Sequence, residues 1–89
     1  MKVFVVATRN PDKPAEEFAP LMDPEADYAL KLYKDGFIRE IYSRTDGKGA
    51  LCVVESENEA SALEKLSELP LAKAGLLSCL LYTSPSPRD

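Results

Sequence analysis

The sequence predicts an α+β domain with the element order β-α-β-β-α-β, and three observations carry it. Short runs rich in β-branched and aromatic residues alternate with two stretches of helical spacing. Asp46-Gly47 separates two of those runs with no room for a helix, so they form a hairpin. Every other consecutive pair of strands is split by one helix-length segment, which is the ferredoxin-like split βαβ topology. The expectation is an antiparallel four-stranded sheet with two helices on one face, the other face being uncovered within a single chain.

Residues 2–8 (KVFVVAT) make the first strand, and their unbroken apolar character suits a central position. A loop with Pro11 and Pro14 follows. Met22, Ala26, Ala29, Leu30 and Tyr33 then fall at i, i+4, i+7, i+8 and i+11, the buried stripe of a first helix. Asp23 before Pro24 reads as its N-cap, and Gly36 as its stop. Pro20 disfavours one uninterrupted helix, which leaves Phe18 and Leu21 in a preceding turn. Residues 37–44 and 50–55 are the hairpin strands. Ser56 and Glu59 suit a capping box for a second helix. Ala60, Leu63 and Leu66, with Ala62, would be its buried stripe, and Pro70 its end. A fourth strand starts at Leu76.

The 89 residues suit one small domain, and 45% hydrophobic with 29% charged residues suits a globular one. Such a domain leaves much of its surface exposed, so self-association is a natural remedy, through the open sheet face. The net charge of −4, with basic residues scattered, argues against nucleic acid as a partner. No apolar run is long enough for a membrane helix, and the first residues are too short for a signal peptide, so a cytoplasmic protein is expected. The chain has no His, which removes the commonest neutral-pH base and the commonest metal ligand. No Cys/His/Asp cluster has metal-ligand spacing, and neither metal nor cofactor is expected.

Several segments bear a resemblance beyond topology: "GFIREIY", "VVESENEA" and "LSELPLAKAGLL", with Gly36-Phe37-Ile38-Arg39 opening the second strand and Leu69-Pro70-Leu71 preceding the last. Together they resemble the muconolactone isomerase-like family of small dimeric α+β barrel proteins, over nearly the whole chain to Ser78. The resemblance implies a homodimer or higher homo-oligomer. It also implies an isomerase that moves a proton across an allylic system in a small unsaturated carboxylic acid or lactone. The rival reading is a non-catalytic small-ligand-binding or oligomerisation module on the same fold.

Four residues are candidates for chemistry. Arg39, between apolar neighbours, suits a clamp on a substrate carboxylate; its plainer role is a surface or interface ion pair. Glu40 and Glu55 are the strand carboxylates, hence the candidate proton carriers in a chain without His; both also suit ordinary solvated positions. Tyr42 suits a donor to a carbonyl, or a packed ring with a wet hydroxyl. Strict alternation over residues 37–44 would put Arg39 with Phe37 and Ile41, and Glu40 with Ile38 and Tyr42. Cys52, inside an apolar strand, reads as a small hydrophobe. Lys48 in "DGKG" belongs to a hairpin turn and lacks the context of a phosphate loop.

The last eleven residues, CLLYTSPSPRD, match in order the one-frame translation of a transposase sequencing adapter. Residues 79–89 are therefore expected to be a non-native tail on a C-terminally truncated domain of residues 1–78, and a Cys52–Cys79 disulfide carries no weight.

Overall fold

The computed structural model describes residues 1–83. Strands β1 (Lys2–Arg9), β2 (Ile38–Ser43), β3 (Gly49–Glu55) and β4 (Leu77–Thr83) form one sheet in the order β2-β3-β1-β4. All neighbouring pairs are antiparallel. β1 is central, as its apolar run requires. Between β1 and β2 lie α1 (Ala15–Phe18), a 3-10 turn (Ala19–Leu21) and α2 (Met22–Lys34). Pro20 sits at the start of that 3-10 turn, so the break expected there occurs. α3 (Glu59–Ser67) and the one-turn α4 (Pro70–Lys73) connect β3 to β4.

One face of the sheet carries the core. Val3 and Val5 of β1, Cys52 and Val54 of β3 and Ile38 of β2 pack against Leu32 of α2 and Ala62 and Leu66 of α3. Val3, Val5 and Val54 are fully buried, which stabilises the fold by about 1.5–3 kcal/mol for each. Phe18, Leu71 and Leu76 form a second cluster under α1 and α4. α2 ends in a Schellman motif: Phe37 N–H donates to Leu32 O at 3.0 Å and Gly36 N–H to Tyr33 O at 3.1 Å, with Gly36 at φ 85°.

Five local expectations shift. Asp23 does not cap α2: the helix begins at Met22 with Leu21 at the N-cap position and no side-chain cap, which leaves Asp23 and Pro24 within its first turn. The inward stripe of α2 is Leu21, Glu25, Tyr28, Ala29 and Leu32, the expected spacing displaced by one residue, while Met22, Leu30 and Tyr33 are exposed. Both stripes obey helical periodicity; the choice becomes possible because the Glu25 carboxylate finds a donor inside, Leu71 N–H at 3.0 Å. α3 is capped by Asn58, whose side chain accepts from Ser61 N–H at 2.8 Å, so the capping box of Ser56 and Glu59 does not form. Ser56 instead donates to Asn58 O at 2.9 Å. Leu63 is exposed and the inward side of α3 rests on Ala62 and Leu66. In β2 the register shifts between Ile38, opposite Val54, and Glu40, opposite Val53. Arg39 is the extra residue of that bulge, so strict alternation fails there.

Gly49 begins β3 where only glycine fits: a Cβ there would lie 1.9 Å from Ala7 O. β4 runs to Thr83, with Cys79 and Leu81 turned toward the core and Leu80 and Tyr82 exposed. Residues 84–89 of the expected non-native tail lie outside the described residues.

Candidate functional site

The uncovered sheet face is read directly from the register, because paired residues project to the same side. Phe4 lies opposite Val53 and Tyr82, and Val6 opposite Leu51 and Leu80. On β2, Glu40 lies opposite Val53 and Tyr42 opposite Leu51. This makes an apolar surface with one carboxylate and one phenol near its β2 edge. Phe4 is 44% exposed, Leu80 57% and Tyr82 54%.

Two of the four sequence candidates meet on that face. The Tyr42 hydroxyl donates to Glu40 Oε1, the two side chains sharing a side at i and i+2. The hydrogen bond to the carboxylate, together with its negative charge, raises the Tyr42 pKa above the ordinary phenol value. Tyr42 is thus held as a proton donor and Glu40 as its acceptor.

The other two candidates are engaged by other partners. Arg39 Nε donates to Gly36 O at 2.7 Å, so the bulge folds its guanidinium back on the end of α2. Glu55 ends β3 two residues beyond Val53, opposite Lys2 of β1, and is ion-paired with the Met1 amino group at 3.0 Å. It lines a cleft of about 520 Å³ with Phe37, Ser61 and Lys65, the Lys65 ammonium lying 4.9 Å from the Phe37 ring centroid.

Glu25 escaped the sequence reading. It is half-buried, and burial raises its pKa, partly opposed by the Leu71 N–H bond that ties α2 to the start of α4. Phasing the first helix on Leu21 and Leu32 instead of Met22 and Tyr33 would have placed it inward. The two cysteines are free thiols. Burial pushes Cys52 up to about 11 and also raises Cys79, so neither is an activated nucleophile. Among the described residues no group of three or more Cys, Asp or Glu side chains is placed to hold a metal. No helix among them is long and apolar enough to cross a membrane.

Comparison with solved structures identifies the architecture. One similar structure is muconolactone isomerase, with a TM-score of 0.76 at 18% identity over 100% of this chain and 94% of that one. The chain has the muconolactone isomerase fold. Another similar structure is 5-chloro-2-hydroxyhydroquinone dehydrochlorinase from Burkholderia phenoliruptrix, in complex with 2,5-dihydroxybenzoquinone. It aligns with a TM-score of 0.76 at 15% identity, over 99% of this chain and 97% of that one. No protein-family model and no curated protein matches the chain. The muconolactone isomerase fold therefore rests on backbone geometry, and the side chains named above carry the functional argument.

Proposed function

We propose that this chain works in the cytoplasm as a homodimer whose two open sheet faces meet, and that it isomerises a small unsaturated carboxylic acid or lactone by a proton shift. The observation that carries the reading is the Glu40–Tyr42 pair on the apolar face. A second copy seated there encloses that pair and excludes water from it. Glu40 then takes the proton next to the substrate carbonyl and returns it at the far end of the allylic system. Tyr42, kept protonated by its neighbour, turns its hydroxyl to the carbonyl oxygen that gains charge. The fold shared with muconolactone isomerase supports a substrate of this class. Arg39 holds the carboxylate if substrate draws it from Gly36, and Glu55 remains the alternative proton carrier.

The test is exchange of the allylic protons of an unsaturated lactone acid with deuterated water, followed by NMR. Wild-type protein is expected to catalyse exchange, with Glu40→Gln and Tyr42→Phe abolishing it while the dimer persists. Equal rates in all three proteins would remove the pair from the chemistry.

A second reading, a ligand-binding or oligomerisation module without catalysis, is favoured by Arg39 itself, whose Nε is engaged by Gly36 O. We further propose that the native chain departs from residues 79–89 after Ser78. Strand β4 persists there because its pairing uses the main chain and its apolar side chains favour strands. Sequencing the gene across codon 78 tests this, and finding the same eleven codons in genomic DNA would refute it.

A further inference from the structure

At the hairpin end of the sheet the structure holds a cavity of about 790 Å³, within the size range of small-molecule sites. It lies apart from the Glu40–Tyr42 pair and shares no lining residue with it. Four cations line it: Arg9, Lys13, Arg44 and Lys48. No Asp or Glu is in its wall. In a chain with 15 acidic and only 11 basic residues, four of the latter around one cavity is a strong local inversion of charge.

The cations differ in how far they are already neutralised. Arg44 donates to Thr8 Oγ1 at 2.9 Å and to Asp46 at 2.5 Å, so its charge is largely matched. Among the described residues Arg9, Lys13 and Lys48 form no ion pair, although Lys48 lies close enough to Asp46 to help lower its pKa and donates its main-chain N–H to Asp46 Oδ1 at 2.9 Å. Arg9 instead lies over the Phe18 ring, 5.8 Å from its centroid. The wall beneath Arg9 is apolar: Phe18 is buried, and Met22 also lines the cavity.

The frame around these side chains is tied down. Arg9 N–H donates to Lys48 O and Asn10 N–H to Leu76 O, both at 2.8 Å. Asp12 N–H donates to Asn10 Oδ1 at 3.0 Å and closes the loop that carries Lys13. The strand end, the hairpin and the loop thus present their cations from a fixed backbone, which lowers the ordering cost of binding.

Arg9 and Lys13, with Lys48 only partly offset by Asp46, exceed what one carboxylate neutralises, and an apolar wall under a stacked guanidinium suits a ring. We propose that this cavity is a second ligand site, taking a small ring-bearing dianion: a ring with two carboxylates or with one phosphomonoester. The ring stacks in the Arg9–Phe18 corner, and the charged oxygens face Lys13 and Lys48.

The test is titration of the full chain at about 150 mM salt, where long-range attraction is screened, with backbone amide NMR as the readout. Phthalate and phenyl phosphate are the dianionic probes, benzoate the monoanion, and inorganic sulfate the anion without a ring. At least one dianionic probe should bind, with shifts at Arg9, Asn10, Lys13 and Lys48, and benzoate should bind about tenfold more weakly or worse. Which dianion binds tells a dicarboxylate site from a phosphomonoester site. Lys13→Glu with Lys48→Glu should weaken binding by about tenfold or more, with the amide spectrum otherwise retained. Glu40→Gln should leave it unchanged, which separates this site from the proposed catalytic pair. Binding of sulfate as tight as phthalate, equal binding of benzoate, or no effect of the double lysine variant would overturn the proposal, as would shifts confined to the open sheet face.

Discussion

Phe4→Asp is the sharpest probe of the proposed dimer. Phe4 sits on central strand β1 with its ring on the open face, 44% exposed in one chain. A phenylalanine buries about 150–250 Å² when fully covered, so about 90 Å² is left for a partner to cover. At about 25 cal/mol per Å² that is about 2 kcal/mol. A two-fold dimer uses the same patch on both subunits, which doubles the loss to about 4 kcal/mol. Dissociation should then strengthen about a thousandfold, before any cost of enclosing two carboxylates. Because the ring points away from the core, the monomer should stay folded. Light scattering after gel filtration, over a range of concentrations, reads the mass, and far-ultraviolet circular dichroism checks the fold. The reasoning is refuted if the variant dimerises within about tenfold of wild type, or if wild-type protein is monomeric at about 1 mM.

Three further outcomes are expected. Glu25 has its folded pKa raised above 4.5, so its contribution to stability is fully present below that pH and is lost as pH rises through the folded value. Glu25→Gln keeps an acceptor for Leu71 N–H and removes the titrating charge; denaturant midpoints from pH 4 to 7 should flatten, and the variant should be at least as stable as wild type at pH 7, whereas an unchanged slope would dismiss Glu25 as its source. Asn58→Ala removes the side-chain cap of α3 and should cost about 1 kcal/mol in urea denaturation, with Asn58→Ser largely retaining it. The Cys52 thiol, pushed up to about 11, should resist a thiol-labelling reagent at pH 7 in native protein and react promptly in urea; rapid native labelling would show that its strand opens readily.

Much of the fold was legible because its signals are local. The KVFVVAT run, the Asp46-Gly47 turn, the Gly36 stop and the Pro20 break each act within a few residues, and each appears in the structure where the sequence places it. The phase of α2 was not legible. Met22, Ala26, Ala29, Leu30 and Tyr33 form a better apolar stripe than the one that is buried, which includes Glu25. The deciding contact is with Leu71, 46 residues away, and periodicity carries no knowledge of it. The α3 cap was misread for a nearer reason: Ser56 and Asn58 both suit an N-cap, and the helix begins at Glu59, directly after Asn58.

The candidate site divides in the same way. Glu40 and Tyr42 share a face because strand residues two apart must, and that much follows from sequence. Arg39 was placed by the same alternation, which a bulge interrupts, and a bulge is a property of how β2 pairs with β3. The cationic cavity is the clearest case. Arg9, Lys13, Arg44 and Lys48 are scattered in the chain, and their spacing gives no reason to group them. They converge because β1 ends beside the β2–β3 hairpin, a neighbourhood set by strand order. Sequence alone thus determined which segments become strands and helices, since propensity, turn chemistry and periodicity are short-range. Tertiary structure decided which side of α2 is inside, where Arg39 points and which charges meet, since these depend on contacts between residues far apart in the chain.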